Sequence, residues 1–139
     1  MSSASEVMEH RLDDVLTTEI PTEQPEELYK FAVKAEALTY YVVKKQAESE
    51  RELAAAEKIL NEKRAELKEL HGTVAEKQAQ WDAKYAFEVS QAEMFKADIR
   101  YWKNVGDLLE KKISLVQSIL SNITASIKSG MYLDNASRA

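Results

Sequence analysis

The amino-acid sequence predicts an all-α protein: a long helical hairpin with coiled-coil-type packing and a C-terminal oligomerisation helix. Three observations carry that prediction. Apolar or small residues recur at alternating third and fourth positions along Ala92, Phe95, Ile99, Trp102, Gly106, Leu109, Ile113, Val116, Leu120, Ile123 and Ile127. Such a spacing averages 3.5 and keeps one stripe facing a partner along a supercoiled helix. Both prolines lie at positions 21 and 25, so no later residue interrupts a helix by lacking an amide. Gly72 stands between two periodic stretches, where a residue just past a helix end favours glycine.

In chain order, residues 1–24 read as an acidic flexible arm with a short amphipathic segment. Its beginning is small and polar. Met8, Leu12, Val15 and Leu16 then form an apolar edge, with Asp13 and Asp14 on the wet side. This segment either docks a partner or folds back on the body. Residues 17–25 should be extended, because each proline biases the residue before it away from helix. The helical hairpin body, 25–128, opens with Pro25 at a favoured first helical position, and Glu26 and Glu27 complement the helix dipole.

Leu28, Phe31, Ala35, Leu38 and Val42 follow a heptad, as do Leu53, Ala56, Leu60, Leu67 and Leu70. The offset from Val42 to Leu53 is a stutter, not a break. The turn is expected near 71–73, followed by a second long helix from Val74 to about Lys128. Its part from about 92 to 128 is the expected oligomerisation helix, with Phe95, Ile99, Trp102, Leu109, Ile113, Val116, Leu120 and Ile123 as subunit contacts. Val105, Leu108, Leu115 and Ile119 widen the seam beyond what a two-stranded coil needs. Gly106 inside it costs about 1 kcal/mol against alanine, which a close helix crossing would justify. Ser129 and Gly130 are expected to end the helix, leaving 129–139 as a tail.

Charge is unevenly spread. Residues 1–30 carry eight acids against Arg11 and Lys30, whereas 31–139 carry sixteen acids and seventeen bases. The acidic balance argues against a simple duplex-DNA binder, yet leaves room for a local site repeated across many subunits. The chain has no cysteine, which removes disulfides, cysteine metal sites and thiol catalysis. No apolar run approaches the ~18 residues of a membrane span, and MSSASEVMEH has no hydrophobic signal core. The expectation is a cytoplasmic protein without a membrane partner.

No catalytic constellation is visible. His10 and His71 lie far apart, and there is neither a glycine-rich phosphate loop nor a nucleophile elbow. The chain is expected to be no enzyme and to hold no metal or cofactor. Its chemistry-bearing residues are cations. Lys44, Arg51 and Lys58 fall seven apart behind Tyr40 and Tyr41. They either track a single-stranded backbone, with aromatics stacking bases, or form a solvated face paired with Glu48, Glu52 and Glu62. Lys63, Arg64 and Lys68 precede the turn, diluted by Glu62, Glu66 and Glu69. Lys96, Arg100 and Lys103 form a tighter row beside Trp102, and either touch nucleic acid or cover apolar surface with their stems. Trp102 sits on the seam, so the Tyr101–Trp102 pair reads as core before platform.

Arg11-Leu12-Asp13-Asp14-Val15 near the N-terminus, Lys63-Arg64-Ala65-Glu66-Leu67 followed by Gly72, Tyr101-Trp102, and Ile127-Lys128-Ser129-Gly130 occur in that order. The arrangement resembles the UvsY family of recombination mediators from large tailed phages. The likeness covers roughly residues 11–132 and is faint between Val74 and Ala92. It implies a ring-like homo-oligomer of the hexamer or heptamer class that binds single-stranded DNA. It also implies that the oligomer helps a RecA-type recombinase replace a single-strand-binding protein, in the host cytoplasm if phage-encoded. Carried over by position, the basic motif places Arg64 at a DNA-binding position, with Lys63 beside it. Glu66 departs from the family, standing where a second basic residue is expected. Composition and heptads alone equally support a structural or adaptor coiled-coil protein without nucleic-acid binding.

Overall fold

The computed structural model describes residues 3–20 and 24–138, with side chains described up to Gly130. Among these residues the chain is all helical: α1 (Ala4–Thr17), α2 (Pro25–Lys63), a 3-10 turn (Arg64–Glu69), α3 (Val74–Lys84) and α4 (Ala86–Arg138). It divides into two compact units, one made of 1–42 and 105–139, the other of 43–104. The helices α2 and α4 contribute residues to both.

The N-terminal segment is a helix, not a flexible arm. A capping box starts it: the Ser3 hydroxyl accepts from the Glu6 amide at 3.1 Å, and the Glu6 carboxylate accepts from the Ser3 amide at 3.2 Å. Leu12 and Val15, 3% and 1% exposed, are buried in the first unit. The segment therefore folds back on the body. Its far end lacks a basic residue of its own, and Lys112 of α4 supplies one. The Lys112 ammonium donates to the carbonyls of Val15 (2.9 Å), Leu16 (2.8 Å) and Thr18 (3.4 Å), groups that a helix end leaves without partners. At the other end, the hydroxyls of Ser5 and Tyr41 lie 3.2 Å apart in hydrogen-bonding contact. Pro21, in the stretch expected to be extended, lies outside the described residues.

The heptad of α2 from Leu28 to Val42 lines the core of this first unit, with Val105, Leu109 and Val116 of α4. Leu28, Leu38, Val42, Leu109 and Val116 are fully buried, each removal from water favouring the fold by about 1.5–3 kcal/mol. Gly106 is not demanded by a close crossing. A Cβ placed there would meet the Val42 Cγ1 at 3.5 Å, an ordinary contact.

In the second unit Leu60 of α2, Trp81 of α3, Tyr85 between α3 and α4, and Ala92 of α4 form the core, joined by Leu53, Ala56, Leu67, Leu70 and Val89. Two expectations fail here for identifiable reasons. The first long helix stops being α-helical at Lys63, where its carbonyl accepts from the Trp81 indole at 3.0 Å and the chain tightens into a 3-10 turn. The second helix, expected to be continuous from Val74, is interrupted at Tyr85, whose φ and ψ are −108° and 22°. The ladder survives, with Tyr85 donating to Trp81 (3.0 Å) and accepting from Val89 (2.9 Å), so the interruption is a kink. The Tyr85 hydroxyl is held elsewhere, by Glu66. Between the helices Gly72 has φ +116°, a conformation that other residues adopt only under strain. Thr73 and Glu76 then build a second capping box. At the C-terminal end α4 runs on past Gly130 to Arg138 instead of giving way to a tail.

Candidate nucleic-acid interface

All eight candidate DNA contacts, Lys44, Arg51, Lys58, Lys63, Arg64, Lys96, Arg100 and Lys103, belong to the second unit. That unit carries twelve bases and twelve acids, so the net charge of −5 resides in the rest of the chain. Lys44, Arg51 and Lys58 are exposed on one face of α2 and make no ion pair among the described residues. The interleaved Glu48, expected to neutralise them, reaches Lys45 instead, at 3.5 Å. Arg64, Arg100 and Lys103 are likewise exposed and unpaired among the described residues. Lys96 is engaged by Glu93 at 3.1 Å. The aromatics that precede the α2 row divide. Tyr40 is 77% exposed, whereas Tyr41 is buried in the first unit.

The basic motif before the turn is more constrained than its sequence indicates. Glu66 accepts from the Lys84 ammonium at 2.8 Å and from the Tyr85 hydroxyl, with Lys63 at 4.0 Å. These donors hold its carboxyl below the usual carboxylate range, Lys84 contributing most and Tyr85 next. In return, the hydrogen bond to Glu66 raises the ammonium of Lys84 and the hydroxyl of Tyr85 above their ordinary values. Glu66 therefore clamps the 3-10 turn to the α3–α4 joint. Arg64 and Lys96 meet across a cleft of about 620 Å³ floored by Leu60, Trp81 and Ala92. Asn61 and Gln78 add amide groups, while Glu57, Asp82 and Glu93 outnumber the two cations there. The cleft alone is thus no anion funnel, and its Trp81, 5% exposed and donating to Lys63, is no stacking platform.

The assigned oligomer contacts also divide. Leu109 and Val116 are completely buried within the chain and offer nothing to a neighbour. Phe95, Ile99, Trp102, Ile113, Leu120 and Ile123 are half-buried. On α4, the open apolar residues include Phe87 (69%), Met94 (56%) and Tyr101 (55%) in the second unit and Leu108 and Leu115 in the first, seven apart within each set, besides Ile127 on the seam itself (56%). The sequence reading missed the whole Trp81–Tyr85–Glu66–Lys84 assembly. Its one legible signal was the Thr73-Val-Ala-Glu76 capping box, which marks a helix start at Val74, and the Trp81 and Tyr85 pair one turn apart beyond it. Among the described residues no group of His, Asp or Glu gathers as metal ligands, and no helix is long and apolar enough to cross a membrane. No family model, no curated protein and no solved structure matches this chain.

Proposed function

We propose that this protein is a recombination mediator, binding single-stranded DNA as a homo-oligomer and assisting a RecA-type recombinase to replace a single-strand-binding protein. One observation carries the reading. Six of the eight candidate cations are exposed without an intramolecular ion pair, and all eight belong to one compact unit with no net charge. Cations in this state neutralise phosphates at little cost in broken contacts. Few per subunit suffice when many subunits present them together. The contacts position a strand and do not read its bases.

The test is a mobility shift on labelled single-stranded DNA over a salt series. Lys44→Ala, Arg51→Ala and Lys58→Ala together should lower affinity for every sequence. The dependence of log affinity on log salt should flatten by about 2, since each single-strand phosphate contact contributes about 0.7. Arg64→Ala should give a smaller loss of the same kind. An unaltered slope in the triple variant removes the α2 row from the interface. A parent protein that binds no DNA at moderate salt favours the adaptor reading, which the exposed Phe87, Met94 and Tyr101 independently support.

A further inference from the structure

An apolar groove of about 380 Å³ lies between α1 and α2 within the first unit. Met8, Val33, Ala37 and Leu38 form its floor, and Tyr29 stands at its side. Val33 and Tyr29 are 50% and 65% exposed, so the groove presents open apolar surface beside its buried Leu38. The charges around it are distributed against the local composition. Residues 1–34 hold three cations and eight acids. All three cations, Arg11, Lys30 and Lys34, line the groove, and none of the described acids does.

The intramolecular partners of these cations are weak. Glu27 lies 3.5 Å from Lys30, and Asp14 lies 4.0 Å from Lys34, with every member solvent-accessible. Pairs of this type are worth little, and an incoming carboxylate exchanges for them readily. Arg11 has no ion pair among the described residues.

We infer that this groove docks an acidic peptide segment of a partner protein, which places a large apolar side chain on the Val33–Leu38 floor and carboxylates on Arg11, Lys30 and Lys34. Aliphatic contact with a charged rim is how a groove receives an amphipathic segment. A nucleic-acid strand fits less well. Its phosphates continue beyond the three cations into the acids of α1, whereas a short peptide carries its negative charge only where the cations are. The inference is independent of DNA binding by the second unit.

The probe is a short fluorescein-labelled peptide rich in Asp and Glu and carrying one Phe and one Leu, titrated with the full chain and read by anisotropy. Saturable binding is expected. Replacing the peptide's Phe and Leu by Ser should abolish it without any change to the protein. Lys30→Glu with Lys34→Glu should weaken it by about tenfold or more, and so should Val33→Ser, with circular dichroism unchanged. The single exchange Lys34→Gln supplies a milder version if the double variant loses helicity. Absence of saturable binding, or equal affinity for the Ser-substituted peptide, overturns the proposal. So does a double variant that loses oligothymidylate binding while the parent ignores the peptide, which would make the groove a nucleic-acid site. A change of sedimenting mass in the variants would make the occupant a second copy of the chain, and would overturn it equally.

Discussion

Glu66 links a basic motif to the joint between two helices, and its environment sets a pH signature. Its folded carboxyl is held low by Lys84 and Tyr85, so its contribution to stability is present above the unfolded value and is lost as pH falls through the folded one. Lys84 and Tyr85 are raised in the folded state by the same contact. Their contributions are complete below their unfolded values and are lost as pH rises through the folded ones. Glu66→Gln should therefore lower the urea midpoint most at neutral pH. The difference from the parent should begin to shrink below about pH 4 and above about pH 10, the ordinary values, and close as pH passes the shifted folded ones. A difference independent of pH would mean that the clamp contributes by shape alone. Glu66→Arg sets a third cation beside Lys63 and Lys84 and should loosen the turn before it can aid DNA binding.

At the scale of the element, two glycines with opposite roles test the local account of the helices. Gly72 adopts φ +116°, and a Cβ there would run into the Glu76 side chain that completes the α3 cap. Gly72→Ala should destabilise by more than about 1 kcal/mol. Gly106 lies within α4, where a methyl meets Val42 at an ordinary distance. Gly106→Ala should stabilise by about 0.5–1 kcal/mol. Equilibrium unfolding checks both, and a destabilising Gly106→Ala would restore the close-crossing explanation. The helices themselves were legible from periodicity, and Gly72 from its place between two heptad runs. The 3-10 turn and the kink at Tyr85 were not, because both arise from side chains that meet across the fold. The Trp81 indole reaches a carbonyl eighteen residues earlier, and Tyr85 reaches a carboxylate nineteen earlier.

For the whole molecule, the seam of α4 shows what periodicity can and cannot say. A 3.5 repeat names a face and its kind of partner, a helix, but not whose helix it is. At Leu109 and Val116 the partner is the chain itself. Leu109→Asp should therefore unfold the protein rather than merely dissociate it, since it buries a charge without a partner. Phe87→Glu with Met94→Glu should leave helicity intact and, if subunits meet through the exposed heptad, reduce the mass in sedimentation. Unchanged mass in that variant would return assembly to the half-buried residues Ile113 and Leu120.

The grip of Lys112 on α1 carries a consequence for the order of folding. The ammonium and the Val15 carbonyl are 97 positions apart, so the end of α1 is secured only once the long intervening stretch has brought Lys112 to it. The second unit closes within 43–104 and needs no such wait. Closing a long loop is entropically slower than closing a short one. In refolding followed by pulsed hydrogen exchange, amides of the Trp81 region should gain protection first and those of α1 last.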